Sequence, residues 1–458
     1  MFKSAEDRSL SFVPLNERYG NPRDQFTLWF AANMLILTTV TGGLGIALGL
    51  SLSWTLLAIV LGNVFGAFFV AGHAVQGPHL GIPQMIQSRA QFGYLGAVVP
   101  LVAVVIMYIG YFAGNQLIAA EALHIVAGVD VKLSIVFLGL ITFVITFYGY
   151  GLILRVEKFF AYVSGLVFLG ISVLVVMRGV PGSAWDFNQF SWPAFLSVLG
   201  AVVAWQLTYA PYIADYTRYL PEDTPSQRLI WYTYFGLVAS CIWVMGLGAF
   251  LTVSFSGYLN NPSETLAQLL PGSIAPTLFV FIVLGCVCVN VLNLYGSFMA
   301  VRTIFDSFVK VRDSLVTRFI FMGVVFVISI FIAIVISETF AAFFEGLLEI
   351  LGYILFPWTS VNLVDYFFLR KGNYSVADIF DRRGKYGLFN WQGIVSYTAA
   401  ILLQIPMMGT AFFTGPIYNL LGGVDYAWLV ALLVPGGLYL VLMTLFPDRA
   451  QRELQALE

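Results

Sequence analysis

The chain has 458 residues, of which 59% are hydrophobic and only 10% are charged, with 22 basic and 24 acidic residues and a formal net charge of −2. Soluble domains carry about 25% charged residues, so this composition excludes an ordinary soluble protein. The near-neutral balance also excludes a nucleic-acid partner, which would require a basic face to neutralise phosphates.

Apolar runs of about twenty residues, the length at which one helix crosses a bilayer, recur along the chain and predict about twelve transmembrane helices. The predicted spans are 25–50, 54–77, 94–126, 133–151, 159–177, 193–217, 229–257, 274–301, 316–337, 340–369, 391–414 and 426–445. Residues 1–24 are charged and lack the apolar core of a signal peptide. We therefore expect residues 1–24 and 447–458 to be cytoplasmic tails.

The basic residues predict the orientation, because Lys and Arg resist translocation across the membrane. With both termini inside, every basic residue except Lys132 and Arg178 falls in a cytoplasmic segment. The sequence thus predicts a multi-pass protein of the cell membrane whose two ends lie in the cytoplasm.

The order of the spans predicts two repeats of opposite orientation, residues 25–178 and 193–370, followed by two further helices in residues 391–446. Each repeat opens with an unusual span: the first contains Asn33 with several Thr and Gly residues, and the sixth contains Gln206 and Pro211. Interrupted helices at equivalent positions of two repeats indicate a binding site near the middle of the membrane. The alternative is a pair of helix kinks whose freed backbone groups are satisfied by neighbouring helices.

Amide side chains inside apolar spans are candidate binding groups, because a polar group in lipid is costly unless it meets a partner or a cavity. Tyr108, Tyr111 and Asn115 share one face of the third span, and Asn290 and Asn293 share a face of the eighth. An Asn amide matches the edge of a planar ligand with adjacent N–H and C=O groups. The alternative is that these amides only tie helices together.

Two aromatic residues near mid-span, Tyr111 and Trp205, are candidates for stacking on a flat heterocycle, with ordinary packing as the alternative. Glu345 and Glu349 share a face of the tenth span, where they line a pathway or occupy a wetted outer half. The three Cys residues lie in apolar runs and are interpreted as buried hydrophobes. No nucleophile–base pair or metal-ligand pattern is visible, so we expect neither an enzyme nor a cofactor.

Five stretches carry a resemblance to a known family: FVPLNERYGNPRDQFTLWFAANMLI, GPHLGIPQMIQSRAQFGYLGA, YIGYFAGNQ, APYIADYTRYLPEDTPS and VNLVDYFFLRKGNYSVADIF. On these residues the chain resembles the nucleobase:cation symporter-1 family, most closely its purine-cytosine permease branch. The resemblance covers essentially the whole chain. It implies an all-α, LeuT-type fold, with a five-plus-five inverted repeat and two extra C-terminal helices. It also implies alternating-access import of a purine or pyrimidine base, or of a related ring such as allantoin or hydantoin, driven by protons or sodium.

The resemblance further implies a set of substrate-binding residues in the first, third, sixth and eighth spans. They are Asn33, Leu35, Tyr111, Asn115, Trp205, Gln206, Asn290 and Asn293.

The cation site of sodium-coupled members implies a different set of residues. It uses the stretch of the first span that matches Ala31 and Met34 here, and two adjacent hydroxyl residues that match Val287 and Cys288. Sodium prefers oxygen ligands, which neither a Val nor a Cys side chain supplies. We therefore expect the sodium site to be lost and proton coupling to replace it.

Two alternatives to this function stay open. A sodium-coupled carrier of hydantoin, allantoin or uracil is the alternative within transport, and a receptor or channel of the same fold is the alternative of another class. Arg89, Asp215 and Arg218 are predicted to form a cytoplasmic gate whose ion pairing changes between states. A cluster of charges that only fixes topology is the competing interpretation.

Overall fold

The computed structural model describes residues 10–148, 150–269, 272, 275–312, 314–410 and 413–456. Residues 1–9 of the predicted N-terminal tail and 457–458 of the C-terminal tail lie outside this part of the chain. Within it the fold is helical, and an isolated β-bridge joins Gly409 to Thr414.

The longer helices are labelled in chain order. They are α1 (Arg23–Ala32), α2 (Ile36–Ala47), α3 (Leu52–Ala74), α4 (Val98–Ala127), α5 (Val131–Tyr148), α6 (Tyr150–Arg178), α7 (Trp192–Leu207), α8 (Ser226–Ser254), α9 (Pro262–Leu269), α10 (Ala275–Phe308), α11 (Leu315–Val335), α12 (Phe340–Val364), α13 (Trp391–Gln404), α14 (Ala427–Leu445) and α15 (Arg449–Gln455).

Among the described residues, 9 helices are long and apolar enough to cross a membrane, or 10 if the bent pair α1 and α2 forms one span. Helices α6 and α13 occupy the two remaining predicted positions. The predicted span 391–414 is too long, because α13 ends at Gln404 and gives way to the 3₁₀ turn Ile405–Met407. Pro406 lacks the N–H that would continue the helix. The all-helical, multi-pass fold is confirmed, while the number of twelve spans stays a prediction.

The first predicted span is broken, since α1 and α2 meet at 64°. Asn33 ends α1 and sends its side-chain amide to the Trp29 carbonyl at 3.1 Å, and the Met34 N–H donates to the Ala31 carbonyl at 3.0 Å. Leu35 is extended, with φ −129° and ψ 147°. The break therefore places the ends of two half-helices inside the bundle, which is the arrangement that transporters use at binding sites.

Glycines let α2 and α8 approach until their backbones touch. A Cβ placed on Gly42 would lie 1.8 Å from the Met245 carbonyl oxygen, and one on Gly248 would lie 1.8 Å from that of Thr39. Such close crossings are typical of membrane helices. Around this pair, α4 packs along α10, and α7 packs against α3 and α12.

The sixth predicted span is distorted rather than sharply broken. After α7 ends at Leu207, the chain passes through the 3₁₀ turn Ala210–Tyr212 into the short helix Ile213–Thr217. Pro211 lies inside this turn and removes one backbone donor. Both interruptions predicted from the sequence are present, and their equivalence in two repeats stays a prediction.

Both described ends of the chain lie at one end of the bundle, which we call the terminal end. The Val13 N–H donates to the Gly81 carbonyl at 2.9 Å, and Arg370 donates to Asp448 at 2.6 Å. Gln91, in the same loop as Gly81, donates to Asp365 near Arg370 at 2.8 Å. The other end, which holds α9 and the start of α12, is called the opposite end.

Candidate functional site

Two aromatic rings from different helices meet beside the break between α1 and α2. Tyr111 on α4 and Trp205 on α7 are in edge-to-face contact, with centroids 5.6 Å apart and planes at 86°. Phe344 on α12 packs against both rings, at 6.3 and 6.2 Å between centroids. The Tyr111 hydroxyl donates to Thr208 Oγ1 at 3.1 Å, and Asn115 lies one turn further along α4, 2% exposed.

The structure thus brings the predicted aromatic pair together, but not as two parallel plates. A flat ligand between them needs centroids about 7 Å apart, the sum of two van der Waals contacts of about 3.5 Å. One of the two rings must therefore move before a heterocycle can be sandwiched.

Asn33 holds the Trp205 indole in place. Its Oδ1 accepts from Trp205 Nε1 at 3.0 Å and from the Tyr209 hydroxyl at 2.6 Å. Its Nδ2 donates to the Trp29 carbonyl at 3.1 Å and to Ser240 Oγ at 3.0 Å. Because all its hydrogen-bonding positions are used, Asn33 in this conformation orients the aromatic pair and leaves no free group for a ligand.

The two amides of α10 differ in what they contact. Asn290 Nδ2 donates to the Phe112 carbonyl at 3.1 Å and to Gln116 Oε1 at 3.0 Å, so it ties α10 to α4. Asn293 Nδ2 donates to Asn290 Oδ1 at 3.3 Å. Asn293 is half-buried, and none of the described residues donates to its Oδ1. Asn290 thus matches the helix-tying alternative, while Asn293 keeps an acceptor free.

The height of Asn293 in the bundle follows from its neighbours on α10. Gly296 packs against Tyr108 of α4, so closely that a Cβ placed on this glycine would lie 2.5 Å from the Tyr108 ring. Asn290, one turn away on the other side, contacts the backbone just beyond Tyr111. Asn293 lies between these two contacts and is therefore level with Tyr111.

Gln206 lies against α3. Its Nε2 donates to Asn63 Oδ1 at 2.7 Å, and Asn63 Nδ2 donates to the Ile59 carbonyl at 2.8 Å. A Cβ on Gly66 would meet the Gln206 Cβ at 2.9 Å, which shows how closely the side chain follows α3. The structure thus places the Nε2 of Gln206 against α3, while its buried Oε1 has no hydrogen-bond partner among the described residues.

The residues that match the cation site of sodium-coupled members lie on α1, at the break between α1 and α2, and on α10. Ala31 and Met34 are joined by the backbone hydrogen bond across the break, and Leu35 beside them is half-buried. On α10, Val287 is buried and Cys288 is half-buried. Within the described part of the chain, no group of three or more His, Cys, Asp or Glu residues could hold a metal ion.

Two of the three predicted gate residues lie together at the terminal end. Asp215 Oδ1 accepts the Gln84 backbone N–H at 2.8 Å. Arg218 donates to the Asp215 carbonyl and to the Ser11 carbonyl, both at 3.3 Å. Asp215 and Arg218 thus join the end of the sixth span to the loop after α3 and to the N-terminal segment.

The third gate residue, Arg89, has different neighbours. Its guanidinium lies 4.0 Å from the centroid of the Tyr94 ring. Burial lowers the pKa of Arg89, against the opposing influence of Tyr94 and of Asp306 at the end of α10. Arg89 is therefore associated with α4 and α10, and whether the three residues act as a gate stays a prediction.

Similarity to known proteins identifies the family. A family model described as a permease for cytosine/purines, uracil, thiamine and allantoin matches residues 12–431. The chain belongs to this family. Because the family consists of permeases and not of enzymes, the protein is a transporter with several membrane-spanning helices.

Curated relatives and solved structures agree with this assignment. A putative purine-cytosine permease of Bacillus subtilis is 40% identical over 438 residues, which cover 96% of each chain. A purine-cytosine permease of Saccharomyces cerevisiae is 25% identical and covers 82% of this chain and 73% of its own. The inward-facing structure of Mhp1 aligns with a TM-score of 0.74 at 19% identity over 97% of each chain. A closed Mhp1 structure with bromovinylhydantoin bound, described as a nucleobase-cation-symport-1 family transporter, aligns at 0.72 and 19% identity over 97% of this chain and 98% of its own. The predicted fold class is thereby confirmed.

Sequence stretches that carried the family resemblance meet at the terminal end of the permease. Gln91 donates to Asp365 at 2.8 Å, Gln76 donates to Asn362 at 2.7 Å, and Gln84 donates to Gln76 at 2.9 Å. These bonds join the loop after α3 to the end of α12. The second and the fifth of the stretches quoted above therefore contribute to one buried hydrogen-bond network.

At the centre of this network the permease buries the guanidinium of Arg370 between two carboxylates. Asp365 accepts from Arg370 at 3.1 Å, from Tyr374 at 2.8 Å and from Tyr439 at 2.9 Å. Burial alone would lower the pKa of Arg370, but Asp365 and Asp448 raise it well above its usual value. The guanidinium is thus held charged between two carboxylates. Asp365 links the end of α12 to α14 through Tyr439, and Asp448 links Arg370 to the start of α15.

Two contributors to the site were missed by the sequence reasoning. Asn63 is an amide inside an apolar run and satisfies the rule that selected Asn115, so it could have been found. Phe344 offered no such signal, because it is one of 41 Phe residues and lies in an apolar stretch.

Proposed function

We propose that the permease imports an uncharged nucleobase-type ring, a purine or cytosine, by alternating access. The observation that carries the proposal is the pairing of Tyr111 and Trp205 beside a helix break, with Asn293 level with Tyr111 and Asn115 one turn further along α4. Aromatic faces bind flat heterocycles, and amides complement their N–H and C=O edges. None of these side chains is charged, which favours a neutral ligand, because a charged one would lack a counter-ion in a low-dielectric site.

The relatives support the same substrate class. The Bacillus subtilis relative at 40% identity is described as a putative purine-cytosine permease. A carrier of allantoin or hydantoin is the second candidate, favoured by an allantoin permease of Bacillus subtilis at 25% identity and by the bromovinylhydantoin bound to Mhp1. The higher identity favours the purine-cytosine class.

We further propose that import is coupled to protons and that both termini face the cytoplasm. By the family resemblance, Val287 and Cys288 match two positions at which sodium-coupled members carry hydroxyl side chains. Neither residue offers an oxygen ligand for sodium. Proteoliposomes with an imposed pH gradient, or with an imposed sodium gradient, test this coupling. Uptake that depends on sodium and ignores the pH gradient would refute it.

Thermal unfolding of the purified permease against a panel of bases tests the substrate class. A ligand that binds only the folded state at 100 times its Kd adds about 2.7 kcal/mol to the free energy of unfolding. We expect one or more of cytosine, adenine, guanine and hypoxanthine to raise the Tm, and Asn293→Ala to abolish the rise. Asn188→Ala, at an exposed position, is the matched control and should keep it. A Tm raised only by allantoin or a hydantoin would favour the second candidate.

A further inference from the structure

A carboxyl group is buried within α4 near the opposite end of the bundle. Glu121 is 7% exposed, and its Oε2 has no hydrogen-bond partner among the described residues. The helix α9 packs over this part of α4, and Ser263 in its first turn donates its hydroxyl to the Ile118 carbonyl at 3.3 Å. A short surface helix therefore forms part of the cover over Glu121.

The contacts of Ser263 bear on the charge of Glu121. The polar groups of α9 that face the carboxyl are the hydroxyl and the backbone N–H of Ser263. The hydroxyl proton is directed at the Ile118 carbonyl, which can only accept, so toward Glu121 this oxygen presents its lone pairs. A protonated carboxyl can donate to those lone pairs and still accept from the Ser263 N–H, whereas a carboxylate can only accept from the N–H and would face the lone pairs with like polarity.

No cation among the described residues pairs with Glu121. Glu264 from α9 adds a negative charge, and Cys286 from α10 is a buried thiol. Asp130 just before α5 and Lys132 in its first turn are exposed to solvent. Other charged residues on helices that pack on α4 are engaged elsewhere: Arg302 with Asp306, Arg318 with the Thr146 carbonyl, and Glu349 beside Glu345 and Asp425. Since an unpaired buried carboxylate is strongly disfavoured, the covered state suits the neutral acid.

We propose that Glu121 is a proton-binding site that links closure of the opposite end to pH, with one proton bound when α9 packs over α4 and released when α9 lifts. The exchange involves no other chemistry: solvent reaches the uncovered carboxylate, a hydronium ion transfers its proton to it and becomes water, and the neutral acid is then buried. The covered state is fully favoured at low pH. Above the pH at which the uncovered Glu121 is half ionised, the equilibrium constant for covering it falls about tenfold per pH unit, as expected for one proton.

This inference goes beyond the proposed substrate and coupling ion, because it concerns only the cover over Glu121. In the proposed orientation α9 faces the outside, so external acid favours closure. A permease that bound no base would still show the effect, and one that bound a base could lack it.

Hydrogen–deuterium exchange of the backbone amides of residues 263–269 tests the proposal in the full-length purified protein between pH 5 and pH 9. After correction for the intrinsic exchange rate, we expect wild-type protection to fall about tenfold per pH unit over part of this range. Glu121→Gln keeps the shape without the titration and should show constant protection. Glu264→Gln removes an exposed carboxyl from the same helix and leaves Glu121 in place, so it should keep the tenfold loss of protection per pH unit, at a shifted midpoint.

Glu121→Met, which fills a similar volume without charge, is a second neutral variant with the same expected result as Glu121→Gln. The proposal is overturned if the wild type shows constant protection, or if both neutral variants keep the wild-type pH dependence. Base-induced stabilisation, measured on the same samples, reports separately on the proposed function.

Discussion

Replacing Asn33 by Ala removes the amide that orients the aromatic pair. That amide accepts from Trp205 at 3.0 Å and from Tyr209 at 2.6 Å, and donates to Trp29 and Ser240. Ser240 keeps a bond within its own helix at 2.7 Å, so the two groups that lose their main partner are the Trp205 indole and the Tyr209 hydroxyl. Both residues are buried, and water cannot readily replace the lost amide.

The expected cost follows from the number of orphaned donors. Hydrogen bonds between membrane helices contribute about 0.6 kcal/mol on average and up to about 1.7 kcal/mol, because the unfolded chain also finds partners in the membrane. Two lost bonds should lower the free energy of unfolding by about 1–3 kcal/mol. A freed Trp205 ring should also bind bases less tightly, and we expect a loss of about tenfold in affinity, equivalent to about 1.4 kcal/mol.

SDS titration of the permease in mixed micelles measures the first effect, and base-induced thermal stabilisation measures the second. Ser240→Ala is the matched control, since it removes one partner of Asn33 and leaves the bond to Trp205 intact. It should cost less than about 1 kcal/mol and keep the affinity. If Asn33→Ala matched the wild type in both stability and affinity, the orienting role of Asn33 would be refuted.

Three further substitutions probe the site and the packing that holds it. Tyr111→Ala should abolish base-induced thermal stabilisation while Tyr111→Phe, which keeps the ring, should retain most of it; equal behaviour of the two would argue against stacking. Asp365→Asn weakens the charged hydrogen bond to the buried Arg370, which keeps Asp448 as its counter-charge, so SDS titration should show a loss of about 1.5–3 kcal/mol, and a stability equal to wild type would contradict a stabilising role of Asp365. Gly248→Ala places a methyl group 1.8 Å from the Thr39 carbonyl oxygen, and the forced separation of α2 and α8 should cost about 1–3 kcal/mol in the same titration; an unchanged transition would speak against the close crossing.

Hydrophobic run length was sufficient to predict most of the fold. The predicted span 340–369 corresponds to α12 and the π-helix Asp365–Leu369 that continues it, because the run stays mostly apolar until the basic pair Arg370 and Lys371. The interruption of the first span was also predicted from its composition. The bend of 64° was not, since it depends on how Asn33 caps α1 inside the bundle.

The site was predictable only in part. The sequence assigns a side chain to a helix, but it does not show which neighbouring helix that side chain faces. Tyr111 and Trp205 share no sequence pattern, yet both were selected as mid-span aromatics and they do meet. Gln206 was selected as an amide in the interrupted sixth span and from the family resemblance, and it lies against Asn63 on α3. A rotation of about 100° around the helix axis separates two consecutive residues, which is why Trp205 and its neighbour have different partners.

Substrate counterflow tests the central claim most directly, because it needs no assumption about the coupling ion. Proteoliposomes containing the permease are loaded with an unlabelled base and diluted into a trace of the same base in labelled form. We predict a transient accumulation of labelled cytosine or purine inside the vesicles, which is absent with Tyr111→Ala. Counterflow that never exceeds that of empty vesicles for any base in the panel would contradict the proposed function.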